Sequence, residues 1–240
     1  MNITSNDWRL TLDLVGGRIQ ELSYQGIKIF GTYQRMDGKG GNTHICAPSF
    51  DKEGQEKYGL PFHGYARTLT WTVNQQTANT ISISATTSFS ELYPASLQLV
   101  QTFVLGEYLS HTVDVAHLSG APVPVNIGMH YYWDTPLGWQ EVQIQNQNIR
   151  EKIEANGFMD LQEKSFITFP HARYELLSNG FRSVMLWTSF KSEGTEEKLY
   201  SQDFCCIEPI IEWPHFFGSD KSVLYPKKTV SASIRLRKVV

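Results

Sequence analysis

Residues 8–18 read Trp8-Arg9-Leu10-Thr11-Leu12-Asp13-Leu14-Val15-Gly16-Gly17-Arg18, and this stretch decides the fold class. Trp8, Leu10, Leu12 and Leu14 alternate with polar partners, the period-two signature of a strand with one buried and one wet face. Gly16-Gly17 then turns the chain into a second strand, Arg18–Tyr24, and Gly26 separates that from Ile27–Phe30. The pattern continues outward over 68–73, 80–88, 97–105, 108–118, 123–130, 165–169, 182–188, 204–208 and 230–236. Turn chemistry fills the breaks, as in Asn179-Gly180 and in Gly120 followed by Pro122 and Pro124. No apolar stripe at helical spacing runs for ten residues. The reading is an all-β, antiparallel sandwich or barrel.

Bulk properties narrow the class. At 240 residues the chain fits one large domain or two small ones. The unbroken strand pattern, without linker or internal repeat, reads as one domain over 1–240. The hydrophobic fraction of 41% supports a packed core, so no disulfide or metal staple is needed. Only 19% of residues are charged and the net charge is −3, which argues against a nucleic-acid partner. Cys46, Cys205 and Cys206 form an odd set with no Cys-x-x-Cys spacing. They read as free thiols of a reducing compartment. With no signal-peptide pattern at Met1–Asp7 and no apolar run of membrane-spanning length, the expectation is a soluble, cytoplasmic protein that does not engage a membrane.

Two segments break the strand rhythm. Residues 31–66 are rich in glycine, aromatics and histidine, and a weakly periodic stretch of that length inside a domain points to function. Residues 209–226 carry Trp213, Pro214, His215, Phe216 and Phe217, aromatics that would serve a homodimer as readily as a ligand. Titratable groups gather beside aromatics at three places: His63 and Arg67 in 60–67, His130 in 126–134, and Glu208 in 204–209. Singly, each has an ordinary use as a hydrogen-bonded histidine or a strand-end ion pair. Jointly they ask for more, because a carboxylate after four apolar residues is costly to bury unpartnered. Pro209 is expected to end the strand after Glu208.

These motifs resemble a known family. Gly59-Leu60-Pro61-Phe62-His63-Gly64-Tyr65-Ala66-Arg67, running on to Trp71, is similar to the G-L-P-x-H-G-F-A-R signature of the galactose-mutarotase-like superfamily. Lys39-Gly40-Gly41 resembles the R-G-G segment of its hexose-6-phosphate mutarotase branch, within the aldose 1-epimerases. His130-Tyr131-Tyr132-Trp133 and Cys206-Ile207-Glu208-Pro209 match two further stretches in the expected order. The resemblance implies an antiparallel β-supersandwich that binds a small-molecule sugar or sugar phosphate, with no cofactor and no metal. It places the general base on Glu208 and the general acid on His130, with substrate binding by His63, Arg67 and Lys39. Lys39 stands where the branch has arginine, and a lysine cannot form a bidentate fork on phosphate. The family also uses an aspartate that contacts sugar hydroxyls, for which Asp160 and Glu163 are the candidates. Trp133, Trp213 and Phe216 offer flat apolar faces to a sugar.

An imidazolium near its unperturbed pKa of about 6.5 and an ionised carboxylate can together open a cyclic hemiacetal. Three rivals compete with this reading. A non-catalytic carbohydrate-binding sandwich would not need the Glu208–His130 pair. A glycoside hydrolase or lyase would need a second carboxylate such as Glu212. A metal enzyme would draw on His44, His63 and His130, whose spacing matches no compact ligand motif.

Overall fold

In the computed structural model the described residues are 1–50, 52–192, 198–213, 217, 219 and 222–239, without the side chain of Glu53. Two large antiparallel sheets pack face to face. In the ten-stranded sheet the order is Asn2–Ser5, Trp8–Asp13, Arg18–Tyr24, Ile27–Phe30, Tyr132–Asp134, Phe204–Ile210, Gly128–His130 and His44–Cys46. Ser183–Trp187 pairs with the other edge of Phe204–Ile210 and carries Phe158–Asp160 beyond it. The nine-stranded sheet is built around Ala95–Leu105, Leu109–Gly120, Thr229–Val239 and Ala172–Asn179. Period-two alternation explains the layering: Leu10, Leu12, Leu99, Phe103, Val113, Val115, Ile234 and Leu236 are all buried in one contiguous core between the sheets.

The Gly16-Gly17 turn is enforced sterically. Gly17 has φ +56, and a Cβ there would lie 2.4 Å from Gln101 Nε2 and 2.8 Å from the Trp71 ring. Only glycine accepts both the left-handed backbone and the close approach.

Three expectations about strands need correction. The strand expected over 68–73 is instead a 3-10 turn at Ala66–Thr68 followed by a strand at Thr72–Gln76. Trp71 is the cause: its backbone N–H donates to Leu14 and its indole N–H to the Ala66 carbonyl, anchoring the corner in the core. The run over 123–130 splits into Val123–Pro124 and Gly128–His130. Pro209 does not end its strand, which continues to Ile210. Proline's fixed φ suits an extended chain and lacks only a donor. On the side of residues 128–134 the ladder is already open, between the Gly128–Ile210 and Tyr132–Cys206 pairs. Cys46, Cys205 and Cys206 are all free and buried.

Candidate active site

The opening in that ladder builds the site. Carrying the register between Gly128–Ile210 and Tyr132–Cys206 sets His130 opposite Glu208. Tyr131 folds its N–H back onto the Met129 carbonyl, and the Tyr132 N–H turns to the Thr43 hydroxyl. His130 also sits opposite His44, and Glu208 opposite Met185, which in turn faces Phe158. Cross-strand neighbours share a face, so Phe158, Met185, Glu208, His130 and His44 form one row across the sheet. That row lies on the face turned away from the inter-sheet core. There, Tyr33, Tyr132, Phe204 and Cys206 make one satellite apolar cluster, and Cys46, Phe50 and Ile210 another.

A cavity of about 690 Å³ opens over the row. At its floor His130 Nε2 lies 3.6 Å from Glu208 Oε2, both side chains almost fully buried. Phe50, Phe62, Phe158, Met185 and Trp187 give it apolar walls, while Arg35, Lys39, Lys52 and Arg67 supply positive charge. The structure thus brings Glu208, His130, His63, Arg67 and Lys39 to one cavity. His63 reaches it from a left-handed backbone, φ +66, and its Nδ1–H donates to the Phe50 carbonyl at 2.7 Å, leaving Nε2 as the ring's acceptor. Gly64 makes that loop possible, since a Cβ there would come within 2.2 Å of the Ala47 carbonyl oxygen.

Burial sets the electrostatics. It pushes the Glu208 carboxyl well above the usual range and the His130 imidazole well below it, each toward its neutral form. His63 is lowered to about 4, by burial first and the Arg67 charge second. His44 is lowered to about 3, also chiefly by burial. The expectation that His130 keeps a pKa near 6.5 is therefore corrected. The two groups, 3.6 Å apart, are both driven by burial toward neutrality.

Other expectations do not meet at the cavity. Trp133 has the opposite strand parity from His130 and packs in the inter-sheet core against Phe169 and Tyr174. Trp213 stacks behind Phe158, 5.8 Å away, rather than lining the wall. Phe216 lies outside the described residues. Asp160 and Glu163 are absent from the described lining, and Asp160 is exposed beside Ser183. Glu212 forms an ion pair with Arg182 at 3.1 Å away from the cavity, so Glu208 is the single carboxylate among the described lining residues. The His44, His63 and His130 rings do gather, with centroids 4.8–6.0 Å apart, but His44 and His63 each spend Nδ1 on a backbone carbonyl.

Six lining residues escaped the sequence reading: Lys52, Phe158, Met185, Trp187, Arg35 and Asn156. Arg35 stands in a tight turn closed by its N–H to the Lys39 carbonyl, with its guanidinium over the Trp187 ring at 5.1 Å and bridged to Asp37 at 3.1 Å. It puts a planar fork where Lys39, largely exposed, offers only a point charge. Asn156 follows the Arg150–Glu154 helix with φ +51, and its Oδ1 is buried without a partner. An Asn just past a short helix carries no distinctive sequence signal, because the same residue ends many helices.

A two-sheet antiparallel sandwich with a polar cavity on the outer face of one sheet is the galactose mutarotase-like class of fold. Solved structures agree on the fold. The galactose mutarotase-like protein from Lactobacillus casei ATCC 334 matches with TM-score 0.76 and 14% identity, over 100% of this chain and 99% of that one. The galactose mutarotase related enzyme from Lactobacillus acidophilus matches with TM-score 0.75 and 13% identity, over 100% and 97%. The Slr1438 protein from Synechocystis sp. PCC 6803 matches with TM-score 0.75 and 17% identity, over 99% and 94%. No curated protein sequence matches the chain. The sequence model of the family described as Aldose 1-epimerase matches residues 4–215, and the chain belongs to that family. Among the described residues no helix is long and apolar enough to cross a membrane.

Proposed function

We propose that the protein is an aldose 1-epimerase that interconverts the α and β anomers of an aldose or aldose 6-phosphate through the open-chain aldehyde. The observation that carries this reading is the buried His130–Glu208 pair, 3.6 Å apart at the floor of an open cavity. Mutarotation needs one proton taken from the anomeric hydroxyl and one given to the ring oxygen. Glu208 as carboxylate accepts the first and His130 as imidazolium donates the second. When the ring opens, both groups have become neutral, the forms that burial favours. Rotation about C1–C2 and the reverse transfers close the ring on the other face.

The remaining groups sort by hydrogen-bonding capacity. His63 Nε2 and Asn156 Oδ1 accept from sugar hydroxyls, while Arg35, Lys39, Lys52 and Arg67 donate. Four cations on one cavity support a substrate with an anionic group, and the apolar walls suit the C–H face of a pyranose. The test is anomer exchange by one-dimensional proton NMR over free and 6-phosphorylated hexoses, with and without chelator. The expected result is acceleration that survives chelation and is lost in Glu208→Gln. No acceleration across the panel, or full rate in Glu208→Gln, refutes it.

A further inference from the structure

Cys206 is a buried nucleophilic group that the acid–base reading leaves unused. It sits two residues before Glu208 on the same strand, so both point to the cavity face. One ligand atom from each of His130, Cys206 and Glu208 lies within 4.8 Å of the other two. Imidazole, thiolate and carboxylate are the three donor types that zinc takes, and a three-ligand site with an open fourth position is the arrangement of exchangeable rather than purely structural zinc.

We propose that the cavity floor is also a binding site for a soft divalent cation of the zinc class, held by His130, Cys206 and Glu208. Occupancy of this site competes with the sugar. The competition clause rests on the proposed epimerase reading; the binding site itself does not. Ligand atoms around tetrahedral zinc sit about 3.3–3.6 Å apart, given bonds of about 2.0–2.3 Å. The His130–Glu208 separation of 3.6 Å already meets this. Sulfur needs to close by about 1 Å, within reach of a rotamer change in a cysteine and a glutamate. His130 and Glu208 line the open cavity, which gives an entry path and room for a water as fourth ligand. Magnesium and calcium fit poorly, because they want several oxygens, whereas the three donors are one carboxylate, one imidazole and the thiol of Cys206, buried just beneath the lining. His44 is not a ligand, since it falls outside the group of ligand atoms that lie within 4.8 Å of one another.

The experiment uses the full chain, stripped of metal and titrated with Co²⁺ under absorption spectroscopy. One equivalent is expected to give a sulfur-to-cobalt charge-transfer band that Zn²⁺ bleaches. Cys206→Ala is expected to lose the band and to weaken Zn²⁺ binding by calorimetry at least about tenfold, the effect of disturbing even an outer contact of a ligand. His130→Gln keeps the sulfur, so it should retain a weakened, shifted band and covers the case in which Cys206→Ala fails to fold. Zn²⁺ should inhibit anomer exchange, with rising sugar raising the concentration needed. Absence of the band, or its persistence in Cys206→Ala, overturns the site. A normal band in a protein without anomerase activity overturns the epimerase reading alone.

Discussion

The Phe204–Ile210 strand and its neighbour at 128–134 present two faces that are equally buried and physically opposite. Odd-numbered Cys205, Ile207, Tyr131 and Trp133 enter the inter-sheet core, where apolar surface and aromatic contacts stabilise the fold. Even-numbered Cys206, Glu208, His130 and Tyr132 turn to the opposite face, where Cys206 and Tyr132 join an apolar cluster and Glu208 and His130 line the cavity, with burial acting against those two. A carboxyl and an imidazole with no close charge partner but each other are a cost to stability that a catalytic use would justify. One strand therefore carries the fold on one side and the proposed chemistry on the other, and substitutions on the two sides should separate them.

The largest separation is expected at Glu208. Glu208→Gln should lower the anomer-exchange rate by about 10²–10⁴-fold, the usual size of a proton-transfer contribution, and His130→Asn should do the same. Stability should move the other way in Glu208→Gln. A carboxyl whose folded pKa is raised contributes most below its unfolded value near 4.5 and loses that contribution as pH rises toward the folded value. Above pH 4.5 the unfolded chain releases the Glu208 proton more readily than the fold does, which costs stability, and an amide that does not titrate removes that cost. Thermal melts should show a higher midpoint for Glu208→Gln than for wild type at pH 8, with the gap narrowing at pH 5. A lower midpoint at both pH values would mean that Glu208 holds the fold together.

Ile207→Ala, one residue away on the core face, should reverse that profile. Truncating a fully buried aliphatic side chain costs about 2–5 kcal/mol. Urea unfolding should detect this, while the rate per folded molecule stays within a few-fold of wild type. A collapse in rate at full stability would show that the two faces are mechanically coupled.

Parity was legible in the sequence and went partly unused. The alternation that begins at Trp8 gave the sheets, and the apolar run ending in Glu208 marked an anomalous carboxylate. The same period of two separates Trp133 from His130, so a strict count would have placed that indole in the core. The opening of the ladder at Tyr131 was not legible, because it depends on the hydroxyl of Thr43, distant in sequence but next to the His44–Cys46 strand that pairs with Gly128–His130. Nor was the continuation past Pro209, which is tolerated only because that ladder is open. The cavity rim was half-legible. Lys39 drew notice through a motif, whereas Arg35, four residues earlier, reaches the wall through a tight turn that no spacing announces.

Acid should expose both faces at once. His111, bonded to Tyr131 and Gln101 in the core, and His44, beside His130, have pKa values lowered to about 3 by burial. A histidine neutral in the fold but protonated when unfolded contributes fully above about pH 6.5, and that contribution is lost as pH falls toward 3. Each such ring adds about 1.4 kcal/mol per pH unit to the slope of stability across that window. Urea midpoints should fall steeply below pH 6, where the buried histidines outweigh the opposite slope of Glu208. His44→Phe should flatten the slope by one proton; an unchanged slope would mean that His44 charges without unfolding.

The smallest effect is expected at Asn156, and it asks whether the binding face extends beyond the His130–Glu208 row. Its Oδ1 is buried without a partner, and an unmet acceptor at a cavity wall is satisfied only when a donor arrives. Asn156→Gly keeps the left-handed backbone at φ +51 and removes only the amide. One neutral hydrogen bond contributes about 0.5–1.5 kcal/mol, so KM should rise about 2- to 12-fold with kcat nearly unchanged. A deoxy sugar lacking the hydroxyl that Asn156 receives should show the same KM in both proteins. Equal losses in kcat and kcat/KM would instead place Asn156 among groups that act only in the transition state, and the line between binding and chemistry would have to be redrawn at the end of the Arg150–Glu154 helix.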